Sequence, residues 1–134
     1  MADANCKPGN DAAMSPQLSW ANAPAGTLSY AIVVRDDTAS VLFNAEVIHW
    51  LVYNIPSTAI SVNANSVPAG ARNFLSYVGK CGDGAAPNPH TYTFKIHALN
   101  IANLETATGA NPNLTTVQTQ IAARTITNGS SSIV

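Results

Sequence analysis

Three segments of the chain carry apolar residues at the spacing of β-strands, and one near the end carries them at the spacing of a helix. SYAIVV, residues 29–34, is a continuous apolar, β-branched run, the pattern of a strand covered on both faces. EVIHWLVYNIP, residues 46–56, alternates instead. Its period of two predicts Val47, His49, Leu51 and Tyr53 on one face and Ile48, Trp50 and Val52 on the other. Pro56 ends it by removing a ladder donor. TYTFKIHALN, residues 91–100, turns Tyr92, Phe94, Ile96 and Ala98 one way and Thr91, Thr93, Lys95 and His97 the other. His97 is therefore expected at the surface. LSW at 18–20 and ARNFLSYVG at 71–79 predict shorter strands, APAGT at 23–27 a turn, and residues 57–71 a long loop. Leu114, Val117 and Ile121 then fall on one face of a helix over residues 114–124, with Asn113 as N-cap and Pro112 just outside. Strands precede the single helix, so the predicted class is mostly β with one short C-terminal helix.

Composition narrows what such a fold can do. The 134 residues suit one domain, 1–134, large enough to bury its own core. Net charge is −1, with no basic stripe, which argues against a nucleic-acid partner. Charged residues make up 10% of the chain, against about 25% in average domains, and Asn, Ser and Thr supply the polarity. That balance favours a periplasmic or secreted setting, although MADANCKPGN has no apolar segment of a signal peptide. No apolar run is long enough for a transmembrane helix. Cys6 and Cys81 could form one disulfide or remain two thiols, and their spacing matches no zinc motif.

Four places gather polar groups beside strand ends. Asp36-Asp37-Thr38 follows the apolar strand, where a carboxylate could orient a histidine or a solvated turn could simply form. His49 lies inside an apolar run and needs a partner at each ring nitrogen, as any core histidine does. His90 opens the strand that carries Tyr92. Gly82-Asp83-Gly84-Ala85-Ala86 is small enough for backbone N–H groups to approach a ligand, or for a tight turn. No lysine follows it at phosphate-loop spacing, and no G-x-S-x-G elbow exists anywhere in the chain. His49, His90 and Asp36 are of ligand type for a metal, but nothing in their spacing demands one, and no cofactor is expected.

Taken in order, these stretches resemble the phosphatidylethanolamine-binding protein (PEBP) family, which includes the Raf kinase inhibitor protein and short bacterial relatives. SPQLSW and PAGTLSYA, followed by DDTA, look like the family's SP-x-L-x-W, P-x-G-T-x-S-Y-A and D-P-D-A-P. IHWLVYNIP looks like its HW-V-x-NIP strand, and GDGAAPNPHTYTF like its glycine/proline loop and H-R-Y. The resemblance covers about residues 6–104, with the family's first strand apparently absent. It implies a two-sheet antiparallel fold with a small anion pocket at one end. Carried over residue by residue, the ligand-binding set is Asp36, Thr38, His49, Gly84, Ala85, Ala86, Pro87, His90 and Tyr92. Asp37 stands where the family has Pro, Thr38 where it has a second Asp, and Thr91 where it has Arg. The pocket is thus expected to hold one carboxylate fewer and to lack that cation.

The resemblance and the donors together imply a small, phosphate-like anionic ligand, a phosphorylated head group included, and a possible role as inhibitor or modulator of another protein. The alternative is a small cofactor-free enzyme in which a His/Asp pair does general acid–base chemistry.

Overall fold

The computed structural model describes residues 15–78 and 91–126. The order is β1 (Leu18–Ser19), β2 (Ser29–Asp36), α1 (Asp37–Phe43), β3 (Ile48–Pro56), β4 (Ser61–Val62), β5 (Arg72–Leu75), β6 (Tyr92–Leu99), α2 (Glu105–Thr108) and α3 (Leu114–Arg124). β5-β3-β2-β6 form one antiparallel sheet and β1-β4 a second, small one.

β2 is central because its apolar residues have cover on both sides. Tyr30, Ile32 and Val34 join Trp50, Val52, Ile55, Ile96 and Ala98 in one buried cluster, which Leu18 of β1 and Val62 of β4 close. Ala31 joins Leu51, Tyr53 and Leu99 in the other, closed by Leu104 and by Val117 and Ile121 of α3. Each buried Val, Leu or Ile side chain among them contributes about 1.5–3 kcal/mol, so neither face is dispensable. α3 occupies the expected residues, and Asn113 caps it by accepting from the Thr116 N–H at 2.8 Å. Its threonines make a weak isolated helix, and the packing of Val117 and Ile121 supplies what propensity does not.

The mostly-β, two-sheet class stands, and two shorter helices, α1 and α2, accompany the expected one. β4 interrupts the stretch read as a continuous loop.

The alternation read along β3 requires correction. Its register against β2 shifts between Tyr30 and Ile32 and again between Val34 and Arg35. Each shift is a β-bulge, an extra residue that flips the parity of everything beyond it. At the first, Asn54 adopts φ +59°, and Ile55 falls into the cluster of Trp50 and Val52. At the second, Val34 pairs with Trp50 but Arg35 with Ile48, so His49 is the extra residue. Ile48 therefore packs with Leu51 and Tyr53 rather than opposite them. β2 and β6, by contrast, run in unbroken register from Ser29↔Leu99 to Asp36↔Tyr92.

The surface position expected for His97 is also corrected. Its neighbour Leu99 bridges Thr125 just past α3, and the Ile126 N–H donates to the Ala98 carbonyl at 2.8 Å. The chain after α3 thus covers His97, which is partly buried with Nδ1 3.2 Å from the Thr125 hydroxyl. That hydroxyl donates to the Ile121 carbonyl at 2.7 Å, so it accepts at His97 and Nδ1 carries the proton. Burial, with Lys95 as a lesser cause, pulls the His97 pKa from 6.5 to about 4.

Candidate functional site

Asp36, His49 and Tyr92 meet at one end of the four-stranded sheet. Asp36 and Tyr92 are direct cross-strand partners, so they share a face, and alternation along β2 and β6 makes it the face of Ile32, Val34 and Ile96. An uninterrupted β3 would have turned His49 away from them. The bulge brings its ring edge-on to Tyr92, with centroids 5.1 Å apart at 77°. His49 Nε2 lies 3.6 Å from Asp36 Oδ2, an ion-pair distance when the ring is charged. Asp36 is 2% exposed and His49 8%.

Each carboxylate oxygen of Asp36 has a separate task. Oδ1 accepts from the Ala39 N–H at 2.9 Å and so N-caps α1. Oδ2 faces His49. The tautomer of His49, however, is set by a group that no residue type marks. Its Nδ1 lies 3.0 Å from the Val78 carbonyl, which can only accept, so Nδ1 donates. The Val78 N–H donates in turn to the His49 carbonyl at 2.7 Å. Backbone atoms of any residue could serve, which is why no sequence signal exists.

Asp37, read beside Asp36 as part of one acidic pair, points elsewhere. Its carboxylate accepts from Arg35 at 2.6 Å and from the Thr93 hydroxyl. Burial alone would raise its pKa, but the bonds from Thr93 and Arg35 outweigh that and hold it below the usual carboxylate value. Thr38 is committed to the backbone as well, since its hydroxyl accepts from the Thr91 N–H at 2.8 Å. Alongside it, the Asp37 N–H donates to the Thr91 carbonyl at 2.8 Å. These bonds strap the first turn of α1 to the chain just before β6.

α1 itself is the element beside the site that the sequence reading missed. Asp36 as N-cap and Asn44 as a left-handed C-cap, φ +48°, bracket DTASVLF, and that cap pair was the available signal.

The structure therefore brings Asp36, His49 and Tyr92 together, with Thr38 on the adjoining turn. Gly84, Ala85, Ala86, Pro87 and His90 lie outside the described residues, as do Cys6 and Cys81. Among the described residues, no three His, Cys, Asp or Glu side chains cluster to hold a metal, and no helix is long and apolar enough to cross a membrane. The arrangement can present an oriented imidazole and a phenol beside a buried carboxylate.

A family model described as phosphatidylethanolamine-binding protein matches residues 2–132. The chain is 33% identical over 107 residues to the UPF0098 protein YbhB of Escherichia coli, covering 72% of this chain and 66% of that one. It is 38% identical over 108 residues to YbcL of the same organism, covering 70% of this chain and 55% of that one. The matched region thus spans between about half and two thirds of these relatives' length. The crystal structure of YbcL, described as a new member of the mammalian PEBP family, superposes with a TM-score of 0.73 at 26% identity, over 90% of this chain and 77% of that one. Protein CT736 of Chlamydia trachomatis shares the fold, with a TM-score of 0.62 at 22% identity, over 90% of this chain and 74% of that one.

Proposed function

Because the chain belongs to the phosphatidylethanolamine-binding protein family, we propose that the sheet end carrying Asp36, His49 and Tyr92 binds a small oxyanion such as phosphate or a phosphorylated head group. The observation that carries the reading is the bulge at His49, which brings a buried imidazole onto the face of Asp36 and Tyr92. A bulge beside a site commonly serves to re-aim one side chain. With Nδ1 held by Val78, only the Nε2 edge of the ring is left to face Asp36 and a ligand. In this reading Asp36 positions the ring, Tyr92 lends its hydroxyl, and Thr38, Gly84, Ala85, Ala86, Pro87 and His90 complete the surroundings. Residues 1–134 act as one PEBP-like domain that binds without turning its ligand over. The wider role proposed with it is modulation of another protein.

Titration with inorganic phosphate and with phosphoethanolamine, followed through the histidine ring signals by NMR, tests the reading. Saturable movement of the His49 and His90 signals is expected. Neither signal moving while the spectrum stays folded would sink it.

A further inference from the structure

A cavity of about 280 Å³ opens on the same sheet face, between the loop of residues 63–68 and the chain that leaves β5. Its size falls near the lower end for small-molecule sites. Among the described residues, no charged one lines it. We propose that it is a second binding site, one that takes an uncharged polyhydroxylated group such as a sugar ring.

Side-chain bonds hold the walls. The Trp50 indole N–H can only donate, and it donates to Asn73 Oδ1 at 3.1 Å. That fixes the orientation of the Asn73 amide, whose nitrogen then faces the Ser76 hydroxyl at 3.4 Å. Ser76, having accepted, keeps its own proton to offer. On the opposite wall the Asn65 N–H donates to the Ser15 carbonyl at 2.8 Å, which anchors the loop. Trp50 and Tyr77 pack edge-on at 5.8 Å and 89°, and Tyr77 with Val67 gives the cavity an apolar side.

Next comes what is left over. The Asn65 amide and the Ser66 and Tyr77 hydroxyls line the cavity, and none of them hydrogen-bonds another side chain among the described residues. Tyr77 is half-buried, and burial pushes its pKa up, which keeps the hydroxyl protonated. The Tyr77 hydroxyl has thus lost part of its water, and a ligand hydroxyl can take the place of what remains.

Finally, the donor–acceptor balance selects the ligand. An anion needs donors and a cation needs acceptors. Hydroxyls and amides offer both, and the hydroxyls of a polyol, each at once donor and acceptor, match that lining without bringing a charge. The apolar side formed by Val67 and the Tyr77 ring suits the C–H face of a ring. This inference does not rest on the anion reading, and its probe and reporters differ.

The test is a titration of the ¹⁵N-labelled full chain with glucose and with myo-inositol, using 1,4-dioxane as a ring lacking hydroxyls. The Trp50 indole N–H and the Asn73 side-chain amide are expected to move saturably with at least one polyol and not with dioxane. Tyr77→Phe keeps the ring contact, and Asn65→Gly tolerates the φ of +53° at that position. Each should weaken binding about 5-fold, the loss of one neutral hydrogen bond. Three results would overturn the proposal. They are no saturable shift with either polyol, equal shifts with dioxane, or NOEs from residues before Ser15 to the Tyr77 ring in the free protein.

Discussion

Replacing Asp36 separates its two tasks. Its Oδ1 accepts a buried bond from the Ala39 N–H at 2.9 Å, and its Oδ2 lies 3.6 Å from His49 Nε2. Asp36→Ala removes both. Losing an N-cap costs about 1 kcal/mol, up to about 2 in buried settings. Leaving the buried N–H without an acceptor is the same loss seen from the donor side, at about 1–3 kcal/mol. Both routes converge on about 2 kcal/mol, and relief of carboxylate desolvation can only reduce that figure. Asp36→Asn keeps an oxygen for Ala39 and discards only the charge, so it should cost under about 1 kcal/mol. At roughly 4 °C per kcal/mol for a domain of this size, the alanine variant should melt about 8 °C lower. Urea unfolding read by tryptophan fluorescence is the assay, because Trp50 is 1% exposed and adjoins His49. Equal losses in the two variants would refute the cap and place the stability in the charge. An alanine variant as stable as the original would refute both. If the asparagine variant behaves as expected, phosphate titration of it measures what the carboxylate adds to binding.

Two further outcomes follow from neighbouring features. His97 has its pKa drawn down to about 4 by burial, so the unfolded chain takes up a proton more readily than the folded one. Stability should be complete above pH 6.5 and fall as pH drops towards 4, by up to about 3 kcal/mol. Asp37, whose pKa is depressed, loses its contribution only at lower pH, below the usual carboxylate value. Urea midpoints at pH 7 and 4.5 therefore avoid the Asp37 range, and the part of the difference that His97→Gln removes belongs to His97. Asn54 holds φ +59°, accepts from the Leu104 N–H at 2.8 Å and donates to Asn103 at 3.0 Å. Asn54→Ala should cost about 2–3 kcal/mol, and Asn54→Gly should recover about 1 of that by removing the left-handed strain. Thermal melts in which glycine recovers nothing would assign the whole effect to the side-chain bonds.

The sheet was legible because its strands are written in the two simplest patterns. SYAIVV reads as a doubly covered strand, and Ala31 and Ile32 are fully buried. TYTFKIHALN alternates in sequence and pairs with β2 without a slip. α3 was legible down to its cap. What escaped notice is physically of another kind. A bulge adds a residue without any composition to mark it, so every side assignment beyond it in β3 inverted. His97 was misplaced because period-two reasoning names a face but not what covers it, and here the chain past α3 does. The Val78 carbonyl is backbone chemistry with no residue signature. Of the candidate site, the motif resemblance supplied Asp36, His49 and Tyr92 together, whereas strand period alone would have turned His49 away.

The two straps beside Asp36 and His49 have one more consequence. Val78 is pinned to His49 through both its N–H and its carbonyl, and Thr91 is pinned to Asp37 and Thr38 in the same way. Val78 and Thr91 are thus two fixed posts, one bonded to the imidazole residue and one to the turn that follows the buried acid. Lengthening a segment held at such posts costs little, about 0.6 kcal/mol per doubling for a flexible loop. The chemistry beneath would not have to shift to accommodate it. An insertion between the two posts should therefore leave the Asp36–His49 distance as it is.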